Sequence, residues 1–187
     1  NGKGKSIFDL TSSYLRRKYP NQQSLHLIHS MDNQESGLCI FARSKHAQQK
    51  MIEQWNDVEL EYYTILQSPL KHKNETFIFE TQEKKIKIMY QFIDSLNYFN
   101  DSLSLVNISG LGLSGSDCRK AFAEKGNPIV ADLTYGATEF ANNYLKLCCH
   151  TIKFSHPFTQ KSIKITMNPP KGFNTINPPY KKQNEHK

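Results

Sequence analysis

Three stretches of this chain carry side chains able to do chemistry. The first is His29-Ser30-Met31-Asp32-Asn33-Gln34-Glu35-Ser36-Gly37-Leu38, where Asp32 is the central carboxylate and Glu35 places a second negative charge close by. An Asp just before Ser-Gly is ordinarily a turn former. Here, however, the segment lies between a short extended stretch and the apolar run Gly37 to Ala42, with a helix after it. Glu35 is expected to repel a phosphate backbone and to raise the pKa of Asp32. The second stretch, Val58 to Leu66, holds the pair Tyr62-Tyr63, which on its own is ordinary strand packing. The third runs from Leu113 to Arg119 and on through Gly126-Asn127-Pro128-Ile129-Val130-Ala131-Asp132-Leu133-Thr134-Tyr135-Gly136. Its Arg119, taken alone, reads as a solvated charge on a helix.

Other chemistries find little footing. His26-x-x-His29 brings two ligands together only on a helix, and that segment reads as extended. Gly110-x-Gly112 lacks the strand-to-helix context of a phosphate loop. Cys39, Cys118, Cys148 and Cys149 form no CxxC pair, so neither a zinc knuckle nor a disulfide framework is expected, and an intracellular, reducing compartment is. The sequons at Asn74, Asn100 and Asn107 carry little weight in so Asn-rich a chain. No apolar run reaches the roughly 18 residues of a membrane span, and Asn1 to Ser6 has no signal-peptide core. The 187 residues carry a formal charge of +7, which suits a polyanionic partner.

The elements that must position these groups follow from periodicity. Ile7, Leu10, Tyr14 and Leu15 recur at helical spacing until Pro20. Ser24 to Ile28 and Gly37 to Ala42 read as strands. A helix is expected over Lys45 to Asn56, capped by Ser44, with Ala47, Met51, Ile52 and Trp55 inward. Strands are expected over Val58 to Leu66, Thr76 to Phe79, Ile86 to Phe92, Ser102 to Ile108, Leu145 to Phe154 and Ile163 to Met167. The Gly/Ser/Leu stretch Ser109 to Ser116 reads as a loop, and Asp117 to Lys125 as a helix ending at Gly126 with Cys118, Ala121 and Phe122 inward. The sum is one α+β domain over 1–168, with a mixed, mainly antiparallel sheet and flanking helices. Two Pro-Pro pairs and a Lys-rich end make 169–187 an extended basic tail.

Taken together, the blocks resemble the RluA-type (RsuA/RluA) RNA pseudouridine synthases. His29, Asp32, Ser36, Gly37 and Leu38 match that family's His-Arg-Leu-Asp-x-x-Thr-Ser-Gly-Leu, with Ser30 in place of its Arg and Glu35 in place of its Thr. Tyr62 matches the Tyr of its Lys-x-Tyr strand, with Leu60 in place of the Lys. Gly126 to Gly136 matches Gly-x-Pro-Ile-x-Gly-Asp-x-x-Tyr-Gly, with Ala131 in place of one Gly, and is the most specific block. Of Gly-Arg-x-His-Gln-Ile-Arg only the last Arg survives, as Arg119, with Cys118 at the Ile position. Leu147 and Phe154-Ser155-His156-Pro157 continue the order, so the resemblance covers about Ser6 to Pro169. The family's opening strand is not recognisable: Asn1 to Lys5 is its remnant, or the chain starts inside the domain. The separate small RNA-binding domain of many relatives is absent.

The resemblance implies isomerisation of uridine to pseudouridine in structured RNA, rRNA or tRNA, with no metal and no small-molecule cofactor. Asp32 would attack the nucleotide, Tyr62 would pack on the flipped base, and Arg119 would hold Asp32 ionised and aimed. His29, Arg43, Lys45, Lys120, Lys171, Lys181 and Lys182 would bind RNA. No membrane partner is expected. The losses around the cleft imply an alternative: a non-catalytic member that serves as an RNA-binding or structural part of a ribosome-like assembly, among ribosomal proteins. Mitochondrion and cytoplasm both fit.

Overall fold

A computed structural model describes residues 5–21, 24–29, 31–98, 101–138 and 144–176. The chain builds, in order, α1 (Ile7–Lys18), β1 (His26–Leu27), β2 (Ser36–Gly37), β3 (Phe41–Ala42), α2 (Lys45–Glu53), β4 (Glu59–Leu66), β5 (Asn74–Glu80), β6 (Lys85–Tyr98), β7 (Asp101–Leu111), α3 (Gly115–Glu124), β8 (Leu147–Ser155) and β9 (Ser162–Thr166). A seven-stranded sheet runs β2-β8-β4-β7-β6-β5, with β9 also on β8, and β1 and β3 form a separate two-stranded ribbon. The pairings of the large sheet are antiparallel except β2 with β8, which is parallel. The α+β expectation with a mainly antiparallel sheet is met. No described helix is long and apolar enough to cross a membrane.

Successive strand residues face opposite sides, and the adjacent Cys148 and Cys149 show this directly. Cys149 joins the main core with Leu60, Tyr62, Ile108, Cys118 and Phe122, whereas Cys148 joins a second cluster with Ile65, Leu105, Val130 and Phe173. On the main side α3 lays Cys118, Ala121 and Phe122 onto the sheet, and Phe122 meets Phe77 and Tyr90 edge to face at 5.8 and 5.6 Å. This packing fixes where the next residue, Arg119, can reach.

Several expected boundaries move, each for a long-range reason. Gly37 to Ala42 is not one strand. Gly37, at φ 120°, lies so close to β8 that a Cβ would run into the Cys149 backbone, and beyond it the chain leaves β8 to pair Phe41–Ala42 with β1. The expected loop Ser109 to Ser116 is partly ordered: β7 runs on to Leu111 because β4 pairs with it as far as Leu111, while β6 pairs with it up to Ser109. α3 then starts at Gly115, two residues early. Its capping box links the Ser114 hydroxyl to the Asp117 N–H at 3.1 Å and the Asp117 carboxylate to the Ser114 N–H at 2.8 Å. Ile52, expected inward on α2, is 53% exposed. Nor is the tail wholly extended: Gly172, at φ 75°, turns the chain so that Phe173 buries against Ile65, Leu103 and Val130. Burying such a ring contributes about 1.5–3 kcal/mol, so packing extends past residue 168.

Candidate active site

Two pins hold the Asp32 loop to the sheet. The Ser36 hydroxyl donates to the Leu147 carbonyl at 3.1 Å, and the Leu38 N–H donates to the Cys149 carbonyl at 2.8 Å. Between them and β1 the chain turns at residues 32–35, where the Glu35 N–H donates to the Asp32 carbonyl at 3.0 Å. Asp32 is left at the rim, its side chain 54% exposed.

Arg119 rises to this rim from the middle of α3, with its side chain only 5% exposed. Its Nη1 pairs with Asp32 Oδ2, while Nε and Nη2 each donate to one oxygen of Asp132 at 2.8 Å. Asp132 is fully buried. One guanidinium therefore bridges a buried carboxylate and an accessible one. The Asp132 fork fixes its plane, and Asp32 meets the remaining nitrogen. Arg119 also lies over the Tyr135 ring, 5.0 Å from the centroid. The bonds to Asp132, first, and the nearby carboxylates push the guanidinium pKa up against the opposing effect of burial, so the cation is secure.

The segment that supplies Asp132 is laid along the end of β4. The Gln67 N–H donates to the Pro128 carbonyl at 2.8 Å, and the Val130 N–H to the Ile65 carbonyl at 2.9 Å. The chain then passes through Ala131 at φ 67°, a left-handed conformation that a Cβ disfavours, and Asp132 points back at α3. The Tyr135 and Ala137 N–H groups both donate to the Asp132 carbonyl, at 3.1 and 3.0 Å. The sequence alone assigned Asp132 no role. Its signal was the Asp of the most specific block.

Glu35 turns under the loop. Its carboxyl occupies the space that a side chain at residue 115 would fill. Burial, chiefly, pushes its pKa up to about 7; the Asp32 backbone and Arg119 oppose this, and the Asp32 and Asp132 charges add to it.

Tyr62 lies below, 2% exposed, on the same side of the sheet as Cys118 and Cys149. Burial, first, and then the neighbouring thiols and acids hold its phenol well above the usual range. Leu60, where the resemblance expects Lys, is fully buried. The site thus brings Asp32 and Arg119 together, while Tyr62, expected against the base, is buried in the core near Glu35 and Cys149.

The expected RNA contacts divide. His29 stacks on Trp55, ring centroids 4.9 Å apart, and neither ring nitrogen has a hydrogen-bond partner among the described residues. Burial pushes its pKa down, so it is a neutral packing residue rather than a surface cation. Arg43, Lys45, Lys120 and Lys171 are exposed, with Arg43 stacked 4.0 Å from the Tyr19 ring. Lys181 and Lys182 lie outside the described residues, as does Ser30. A concavity of about 600 Å³ lined by Lys84, Lys87, Met89 and Leu111 lies away from Asp32 and includes none of the site residues.

Comparison with known proteins agrees with this geometry. Residues 2–123 match the family model described as RNA pseudouridylate synthase. Ribosomal large subunit pseudouridine synthase C of Haemophilus ducreyi is 26% identical over 177 residues, which cover 81% of this chain and 54% of the relative. The chain thus spans about half the length of that curated relative. Among solved structures, Human RNA Pseudouridylate Synthase Domain Containing 1 superposes with a TM-score of 0.67 at 18% identity, covering 83% of this chain and 72% of that one. Human RNA Pseudouridylate Synthase Domain Containing 4 gives 0.70 at 14% identity, covering 94% and 86%.

Proposed function

Since this chain belongs to the RNA pseudouridylate synthase family, we propose that it isomerises uridine to pseudouridine in RNA, with Asp32 as the attacking carboxylate. The observation that carries the reading is the Arg119 bridge: Asp32 is open to a ligand on one side and held by a cation on the other. A guanidinium so placed fixes the direction in which the carboxylate points. In the reaction the bond from the ribose C1′ to N1 of uracil breaks and a bond from C1′ to C5 forms. The C5 proton is lost and N1 takes one up, so the sum is an isomerisation without redox change. The target uridine leaves its stack to reach Asp32.

The name of the Haemophilus relative supports large-subunit rRNA as the first substrate to test. The second is tRNA, and the proposal extends to ribosomal proteins as neighbours and to a reducing compartment, cytoplasmic or mitochondrial, in keeping with the four free cysteines. The exposed Arg43, Lys45, Lys120 and Lys171 supply phosphate contacts, which position RNA without reading its sequence. The accessible, cation-held Asp32 favours this over a non-catalytic binding role.

The test is to incubate the protein with unmodified large-subunit rRNA and map pseudouridine, with Asp32→Ala as the control. New pseudouridine made by the wild type alone is expected. Equal maps from the two proteins on both rRNA and tRNA would overturn the proposal.

A further inference from the structure

Arg119 forms ion pairs with Asp32 and Asp132 and, among the described residues, with no other carboxylate. Glu35 forms none. Yet its carboxyl is folded under the Asp32 turn, in the gap left by the absent side chain of Gly115 at the first turn of α3. The groups around it are known from each neighbouring element. Asp32 is on its own loop, Arg119 and Cys118 are on α3, where Asp117 adjoins Cys118, Asp132 follows α3, Tyr62 is on β4 and Cys149 is on β8. Asp117 is already paired with Lys84 at 2.8 Å. Arg119 is thus the one cation among those groups, and it already serves two carboxylates. A third negative charge in this half-buried space has no cation of its own.

We propose that Glu35 is a positioning residue for the Asp32–Arg119 pair: while it carries a proton it leaves Arg119 on Asp32, and when ionised it repels Asp32 and competes for Arg119. This deepens the synthase reading and rests on it. The proton is exchanged with solvent, and no bond other than O–H is made or broken. Glu35 touches no reacting atom in this account. It acts only through the geometry and charge of the pair. Gly115 and Glu35 form a matched set, since any larger residue at 115 displaces the carboxyl.

The test is the pH profile of kcat/KM on a large-subunit rRNA transcript for wild type, Glu35→Gln, Glu35→Asp and Gly115→Ala. Wild type is expected to lose activity above about pH 7, the value to which burial raises Glu35, by about tenfold per pH unit. Glu35→Asp is expected to keep a basic limb. Glu35→Gln and Gly115→Ala are expected to lack it, a change that a purely structural role would not produce. The same basic limb in wild type and both of those variants would overturn the proposal.

If wild type makes no pseudouridine at any pH, the synthase reading fails, and Glu35 is judged by NMR on the intact protein. The carboxyl carbon signal that vanishes in Glu35→Gln is then followed with pH, together with the Arg119 Nε–H signal identified with Arg119→Lys. Co-titration of the two near pH 7 supports the assignment. A Glu35 signal that titrates in the ordinary carboxylate range, or an Arg119 signal that stays still, overturns it.

Discussion

Asp132 takes two nitrogens of Arg119 and leaves the third for Asp32, so the buried acid orients the accessible one through a shared cation. The fully buried Asp132 has no contact with solvent, and its charge is balanced only inside this arrangement. Replacing it with Ala leaves two buried Arg119 nitrogens without their acceptors and Asp32 as the remaining carboxylate on the guanidinium. Asp132→Ala is expected to lower unfolding free energy by about 3–5 kcal/mol and to abolish turnover although Asp32 remains. Chemical denaturation and a pseudouridine assay measure the two effects. A variant as stable and active as wild type would refute the bridge.

Ala131 adopts φ 67°, where the resembled motif carries Gly. A left-handed alanine costs roughly 1–2 kcal/mol, partly offset on replacement by the greater freedom of glycine in the unfolded chain. Ala131→Gly is therefore expected to raise stability by up to about 1 kcal/mol, read as a higher denaturation midpoint at an unchanged slope. A lower midpoint would contradict the strain.

Phe173, 3% exposed, closes the second cluster, and the Lys146 ammonium donates to the Thr175 carbonyl at 2.8 Å beside it. Phe173→Ala is expected to cost about 3 kcal/mol, and truncation after residue 168 a similar amount. Loss of less than half a kcal/mol in both would show that this segment does not belong to the packed domain.

The motif stretches made Asp32 and Arg119 readable from sequence, because their residue types and order survive even where neighbours changed. The strand alternation and the inward face of α3 were readable too, since Cys118, Ala121 and Phe122 obey simple periodicity. What escaped depends on contacts distant in sequence. The strand character of Ser109 to Leu111 comes from pairing with β4, joined by β6 at Ser109, which the Ser-Gly-Leu composition hides. The burial of Phe173 depends on a turn after Pro169-Pro170, and the proline pairs alone read as extended chain. Asp132 was passed over because a Gly/Pro-rich block reads as turn geometry, and only the fold shows that the turn aims a carboxylate at α3.

Glu35 also makes stability depend on pH. Its folded pKa of about 7 lies above the ordinary 4.5. The protonated form is therefore favoured by folding, and its contribution is fully present below pH 4.5 and lost as pH rises through 7. The Tm of wild type minus that of Glu35→Gln is expected to fall between pH 5 and pH 8. A constant difference across that window would show that Glu35 titrates alike in the folded and unfolded chain.

The central claim is that the Asp32 carboxylate, held by Arg119, is the reactive group. The most direct measurement is pseudouridine formed per RNA molecule by wild type and by Asp32→Asn, which keeps the shape and removes the charge. Both proteins are first matched by circular dichroism and melting temperature, then given the same unmodified large-subunit rRNA. The account predicts site-specific pseudouridine with wild type and none above background with Asp32→Asn. Equal conversion by the two folded proteins would contradict it.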